Sequence, residues 1–281
     1  MKKGLIKKVV ASALLGIMTM GLVGCGSADN TSSKETKDLL ETIQEKGKVV
    51  VGMSADYAPY EFHYIDENGK DVIGGFDVDI ANEIADAIGV ELVIQEMDFD
   101  ALVAALPAGK IDLVISGMNP TEERAKVVDF SEIYYNSQHG ILVRAEDVDK
   151  YKTFADLEGA KVGAQLGSTQ EQIAKNEIPN ADLQLLANVN NLILELKSGK
   201  VDAIVMEKPV AKMAVKTNPE LAVGQSTYEE ESGGNAVGVA KGNEDLLAKV
   251  NEVIKELNET GKMDEYIVKA NELAGSVKIV E

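Results

Sequence analysis

The chain has 281 residues, with 28 Lys and Arg against 47 Asp and Glu, a formal net charge of −19 and 45% hydrophobic residues. That is a globular composition with ample chain to bury a core, as one large or two modest domains. The acidic balance excludes a nucleic-acid partner, which needs a basic footprint, and serves solubility and self-repulsion. One cysteine and two histidines, His63 and His139, not spaced as metal ligands, leave disulfide, thiol and metal chemistry without support and imply no cofactor.

Lys2, Lys3, Lys7 and Lys8 precede an apolar run from Val9 to Val23 that is too short to span a bilayer comfortably, and Leu22-Val23-Gly24-Cys25 follows. This is similar to a bacterial lipoprotein signal. The resemblance implies that residues 1–24 are a signal peptide removed before Cys25, and that acyl chains on Cys25 hold the mature protein to a membrane. Cleavage removes four lysines and no acids, which leaves 24 basic and 47 acidic residues, a net of −23. Residues 25–36, rich in Ser, Thr, Asn and Ala, read as a flexible tether.

Residues 37–46 suit a short helix, and Lys48 to Met53 the first strand. The loop Ser54-Ala55-Asp56-Tyr57-Ala58-Pro59-Tyr60-Glu61-Phe62 puts aromatics past that strand's carboxyl end, where they either lid the core or stack on a ligand. Glu67-Asn68-Gly69-Lys70 is a hairpin turn. Gly74-Gly75-Phe76 leads to a helix with Asp77 and Asp79 in its first turn, an apolar stripe of Ile80, Ile84 and Ile88 with Ala81 and Ala85, and an end at Gly89.

Residues 109–124 organise the chain. Ile111, Leu113, Val114 and Ile115 form an apolar run of the kind buried in a parallel sheet. Ser116, Gly117 and Asn119 lie where that strand leaves the sheet, Pro120 enforces a turn, and Thr121 caps a short helix carrying Arg124. The carboxyl ends of strands are where open α/β sheets bind ligands. Gly109-Lys110-Ile111-Asp112-Leu113-Val114-Ile115 recurs 90 residues later as Gly199-Lys200-Val201-Asp202-Ala203-Ile204-Val205. Val49–Met53 running into Ser54 is likewise echoed by Lys161–Ala164 running into Gln165-Leu166-Gly167-Ser168-Thr169. The expectation is two similar Rossmann-like α/β lobes.

Gly75-Phe76-Asp77-Val78-Asp79-Ile80 followed by Ile84-Ala85 closely resembles the signature of bacterial extracellular solute-binding proteins, family 3, which serve polar amino-acid ABC transporters. Met97-Asp98-Phe99-Asp100-Ala101-Leu102, the blocks Ile115–Arg124, Val128–Ser131 with Tyr134-Tyr135, Leu166–Glu171 and Val201–Val210 extend the resemblance from about residue 48 to residue 270. It implies a type II periplasmic-binding-protein fold, with the ligand in the cleft between two lobes joined by a two-strand hinge. Lobe one is expected at 37–140 and 238–281 and lobe two at 141–237, with crossings near Gly140–Arg144 and Asn235–Ala240. Two final helices, roughly Asp245–Glu259 and Met263–Leu273, would return to lobe one, the first on a stripe of Val250, Ile254 and Leu257.

By the same resemblance Arg124 takes the ligand carboxylate on its guanidinium fork. Ser168 and Thr169 offer helix-start amides to that carboxylate, although Ser168 with Glu171 is also an ordinary capping box. Glu207 accepts the ligand ammonium, where aspartate is commoner in the family, with the backbone at Gly117 and the side chain of Asn119 or Thr121 assisting. Tyr57 and Phe99 hold the ligand side chain between aromatic faces. Ser116 and Gln165 complete the strand-end set. Ser54 stands where some relatives carry an acid, which argues for a neutral polar ligand unless Glu61 substitutes. The resemblance implies a monomeric, non-enzymatic receptor that closes on a polar amino acid and docks on the permease of an ABC transporter with its ATPase, held by Cys25 to the outer face of the cytoplasmic membrane. The alternatives are a cyclohexadienyl or arogenate dehydratase-like enzyme on the same fold, which needs a general acid such as Glu207 or Glu61, and a ligand-sensing subunit of a signalling system.

Overall fold

The computed structural model describes residues 38–136, 138–229 and 231–280. The expected signal peptide, tether and Cys25 lie outside the described residues. In chain order, α1 (Leu39–Lys46) leads into β1 (Lys48–Met53). An antiparallel flap follows, made of β2 (Asp56–Tyr57), β3 (Glu61–Ile65) and β4 (Asp71–Gly74). Then come α2 (Phe76–Ile88), β5 (Glu91–Glu96), α3 (Phe99–Ala105), β6 (Leu113–Val114) and β7 (Val128–Phe130). The second half holds β8 (Gln138–Arg144), β9 (Lys161–Gln165), α4 (Thr169–Glu177), β10 (Asp182–Leu186), α5 (Val189–Lys197), β11 (Ala203–Glu207), α6 (Lys208–Thr217), β12 (Leu221–Val223) and β13 (Tyr228–Glu229). β14 (Gly238–Ala240), α7 (Glu244–Thr260) and α8 (Lys262–Ala274) complete the chain.

Two sheets result. In lobe one the order is β5-β1-β6-β14-β7; in lobe two it is β10-β9-β11-β8-β12, with β13 pairing the start of β8. In each sheet three parallel strands are joined by one antiparallel strand that directly follows a crossing between the lobes, β14 against β6 and β8 against β11. The apolar run at 111–115 is buried throughout, as a strand covered on both faces requires. Ile80, Ala81, Ile84, Ala85 and Ile88 form the buried face of α2, and α7 and α8 return to pack on it through Val250, Ile254, Leu257 and Met263. Lobe two has its own core of Ile141, Val143, Val162, Ile173 and Val205.

The sheets are linked by two antiparallel segments. Asn235 N donates to Tyr135 O at 2.8 Å, and Tyr134 N to Asn235 O at 2.9 Å. Gly234 has φ 149°, and a Cβ there would sit 2.1 Å from Tyr135 O, so only glycine lets the strands run this close. The first crossing comes earlier than expected. Gly140–Arg144 lies inside β8, with Gly140–Val143 paired to β11 and Arg144 to β12, because Ile141, Leu142 and Val143 are core residues of lobe two rather than a linker. The second crossing falls at Asn235, and the remainder of the expected range becomes β14.

Candidate functional site

The cleft is built where strands end. β1 and β6 are parallel neighbours, so the residues just past them meet at once: Ser54 N donates to Ser116 Oγ at 3.0 Å. Thr121 Oγ1 accepts from Arg124 N at 3.3 Å, just ahead of a single 3₁₀ turn, Arg124–Lys126. From that turn Arg124 reaches back, Nη1 to Asn119 O at 2.8 Å and Nη2 across the cleft to Gly167 O at 3.0 Å, with its guanidinium 5.3 Å above the Phe99 ring. The planar cation therefore lies on an aromatic face at the point where both lobes converge.

Lobe two answers with a helix start. Ser168 caps α4, accepting from Glu171 N at 3.2 Å, and Glu171 returns to take Gly167 N at 2.8 Å. Capping occupies Ser168 and leaves Thr169 to cross the cleft, where its Oγ1 donates to Asn119 Oδ1 at 2.6 Å. Tyr57 is a further bridge. Its hydroxyl accepts from Gln170 Nε2 at 3.1 Å and from Glu207 N at 3.2 Å, both in lobe two. Asp56 completes the contact, its Oδ2 accepting from Val189 N, the first amide of α5, at 2.6 Å while Ser54 Oγ donates to its Oδ1 at 3.3 Å.

Glu207 is fully buried at the end of β11. Its carboxylate accepts from the Tyr60 hydroxyl and, at 3.1 Å, from Asn235 Nδ2, which also donates to Gly117 O at 2.7 Å. Burial, then the charge of Glu207, push the Tyr60 phenol well above its usual range, so it remains a donor at neutral pH. Tyr60 packs in turn against Phe76 and edge-on to Tyr135. The longer glutamate is thus held by an aromatic wall of lobe one and by a hinge residue.

The structure gathers Ser54, Tyr57, Phe99, Ser116, Gly117, Asn119, Arg124, Thr169 and Glu207 around one cleft. Three other candidates have local duties: Thr121 accepts from Arg124 N, Ser168 caps α4, and Gln165 Nε2 donates to Ala187 O at 3.0 Å within lobe two. Glu61 bonds Ser116 at 2.5 Å beneath the loop. Sequence reasoning passed over Asp56, Gln170 and Asn235. Asp56 lay inside the aromatic loop and Gln170 one residue past Thr169, so position alone pointed to them; Asn235 carried no signal, because its importance comes from the hinge pairing. Two hollows flank the closed contacts. One of about 410 Å³ lies outside Arg124, lined also by Phe99, Thr121, Ser168 and Thr169. The other, about 280 Å³, lies beyond Ser54 and is lined by Asp56, Glu96 and Asp98.

Known proteins match the chain over nearly their whole length. The chain is 35% identical over 268 residues to the arginine-binding extracellular protein ArtP of Bacillus subtilis (strain 168), covering 94% of this chain and 96% of that protein. It is 36% identical over 269 residues to a probable histidine-binding protein of Campylobacter jejuni, covering 94% and 98%. Among solved structures, the amino acid ABC transporter substrate-binding protein AbpA from Streptococcus pneumoniae Canada MDR_19A, bound to L-arginine, superposes with a TM-score of 0.81 at 41% identity, covering 83% of this chain and 98% of that one. Residues 49–270 match the family profile itself, and the chain belongs to the bacterial extracellular solute-binding proteins, family 3.

Proposed function

We propose that this chain is the receptor of an amino-acid ABC transporter, that it closes its two lobes over one cationic amino acid, and that arginine is the first candidate. The observation that carries this reading is the polarity of the cleft. A guanidinium, Arg124, and the start of α4 stand at one end, and the hollow at the other is lined by Asp56, Glu96 and Asp98. An α-amino acid with a cationic side chain has the complementary order of charges. The acids beyond Ser54 supply the negative potential that Ser54 itself lacks, which favours a cation over the neutral ligand that Ser54 alone suggests. The arginine-binding relative ArtP and the arginine-bound AbpA support the same choice.

In this reading Arg124 pairs with the ligand carboxylate, assisted by Ser168 and Thr169 at the start of α4. Glu207 takes the ammonium with Gly117 O and Asn119 or Thr121, and Tyr57 and Phe99 sandwich the side chain. Hinge closure joins these two half-sites, and the closed form is what a permease recognises. Cys25 carries the acyl chains that keep this monomeric receptor at the outer face of the membrane, and no catalytic step is required of it. The test is thermal unfolding of ligand-stripped protein with each common amino acid, ornithine, citrulline and cystine. Ligand at 100 times its dissociation constant stabilises by about 2.7 kcal/mol, so arginine should give the largest shift. Folded protein that shifts with none of them sinks the reading, and a shift with glutamine or cystine but not arginine sinks the cationic assignment. Release of phenylpyruvate or phenylalanine from prephenate or arogenate would favour the enzyme alternative.

A further inference from the structure

The loop Ser116–Gly117 rests on two buried carboxyl side chains that the receptor chemistry does not use. Glu61 opens β3 and Asp77 lies in the first turn of α2, both almost wholly enclosed. The chain forces them together. Gly75, with φ 126°, would put a Cβ 2.0 Å from Tyr60 O, and this close approach lets Asp77 N donate to Tyr60 O at 3.0 Å. The first turn of α2 is thereby pinned onto the residue before Glu61.

The two carboxyls are bonded unequally. Asp77 Oδ2 accepts from Gly117 N at 2.8 Å and from Tyr134 OH at 3.0 Å. Glu61 Oε1 accepts from Ser116 Oγ, and the same Ser116 Oγ accepts from Ser54 N. The remaining oxygens, Glu61 Oε2 and Asp77 Oδ1, are buried and receive no donor, and the two carboxyls are drawn together because each bonds one of the adjacent residues Ser116 and Gly117. Two acceptors in contact away from water require a proton between them, because two ionised carboxylates there would face both desolvation and mutual repulsion. Asp77, with two donors already, is the better anion, which leaves Glu61 as the acid.

We propose that Glu61 is a carboxylic acid at neutral pH, donating from Oε2 to Asp77 Oδ1, and that this one-proton pair is a positioning device for the Ser116–Gly117 ligand loop. Burial, then the charge of Asp77, push the Glu61 carboxyl well above the usual range. For Asp77 burial outweighs the donors from Gly117, Tyr134 and Glu61 and raises the carboxyl to about 7. The groups facing the pair are Asp56 and Tyr57 from β2, Tyr134 from the hinge segment and Glu207 from lobe two, acids and phenols that favour keeping the proton. Removing it makes Glu61 a second anion. The pair must then separate, and Ser116 and Gly117, each bonded to one member, move with it. The positioning role rests on the ligand reading above; the proton itself does not.

The test combines infrared spectroscopy with calorimetry, using L-arginine as the probe. Ligand-free wild type at neutral pH should show a protonated-carboxyl carbonyl band that Glu61→Gln lacks. Wild-type affinity should fall at least tenfold as pH rises through the range where that band disappears. Glu61→Gln, whose amide donates to Asp77 at every pH, should recover binding lost in Glu61→Ala and show no such fall. Both proteins meet the same titration of the ligand, so the difference between their profiles isolates Glu61. Absence of the band, or parallel pH profiles for wild type and Glu61→Gln, overturns the proposal. A wild type that carries the band but binds no amino acid overturns the receptor reading, and with it the positioning role, while the shared proton stands.

Discussion

In lobe one Asp112 clamps β6 to β1: its carboxylate accepts from Val50 N at 2.8 Å and its own N–H donates to Val50 O at 2.7 Å. In lobe two Asp202 treats β9 in the same way, accepting from Lys161 N at 3.0 Å and donating to Lys161 O at 2.7 Å. The strand orders on either side of these clamps correspond one to one. The segments that leave the clamped strands differ. Lobe one ends in Ser116-Gly117-Met118-Asn119 over buried carboxyls, whereas lobe two ends in Glu207 and a proline-started helix beside the capped start of α4. The repeated residues build the frame twice, and the unrepeated ones after them divide the work, so that one lobe brings a guanidinium and the other a carboxylate.

If that division of work holds, the largest effect comes from Arg124. Arg124→Ala should weaken amino-acid binding by roughly 2–5 kcal/mol in calorimetry, the cost of deleting one partner of a buried charge pair. Arg124→Lys should recover only part, because an ammonium lacks the two parallel donors. Wild-type affinity in Arg124→Ala would remove the carboxylate role from lobe one. Next, the frames can be compared directly. Asp112→Ala leaves a strand N–H without its acceptor in a buried setting and should cost about 1–3 kcal/mol in chemical denaturation. Asp202→Ala, at a partly exposed position, should cost less, and equal losses would break the argument from burial.

Tyr60→Phe deletes one donor to Glu207 and should cost about 1–2 kcal/mol of affinity, with little change if Asn235 alone suffices to hold the carboxylate. The smallest effect concerns protons. Closure buries Asp56 against α5, and burial outweighs its bonds from Val189 and Ser54 to raise the carboxyl from 3.8 to about 6. A group whose pKa rises on closing takes up protons between those values. Closure is therefore favoured by acid, and the gain is lost as pH rises through about 6. Binding heats at a pH of about 5.5 in buffers of different ionisation enthalpy should report uptake of a fraction of a proton in wild type and less in Asp56→Asn. Identical uptake in the two proteins would exonerate Asp56.

Much of the frame was legible in the chain. The Gly-Lys-hydrophobic-Asp echo located both clamped strands because the same two hydrogen bonds need the same aspartate twice. The stripe of Ile80, Ile84 and Ile88 located α2 because a helix face must match one core. The turns that meet at the cleft were legible where they succeed a strand, as at Ser116–Arg124 and Gly167–Thr169. It was not legible where function depends on residues distant in sequence. Nothing near Asn235 says that it will meet Glu207 and Gly117, and nothing near Glu61 says that Asp77 will be its partner. The crossing at Gly140–Arg144 was misplaced for a related reason: Ile-Leu-Val in a strand that leaves the hinge looks the same as in a strand that forms it.

Asn235 stands on the pivot of the molecule and also holds the carboxylate of one lobe and the ligand loop of the other. A rotation about such a point has almost no lever arm, so the two amide bonds stretch little while groups farther from the axis, such as Arg124 and Thr169, travel most. The outer contacts can therefore part while the amide keeps both partners. The side chain at the pivot is a tether common to both lobes, and what separates on opening is the rim.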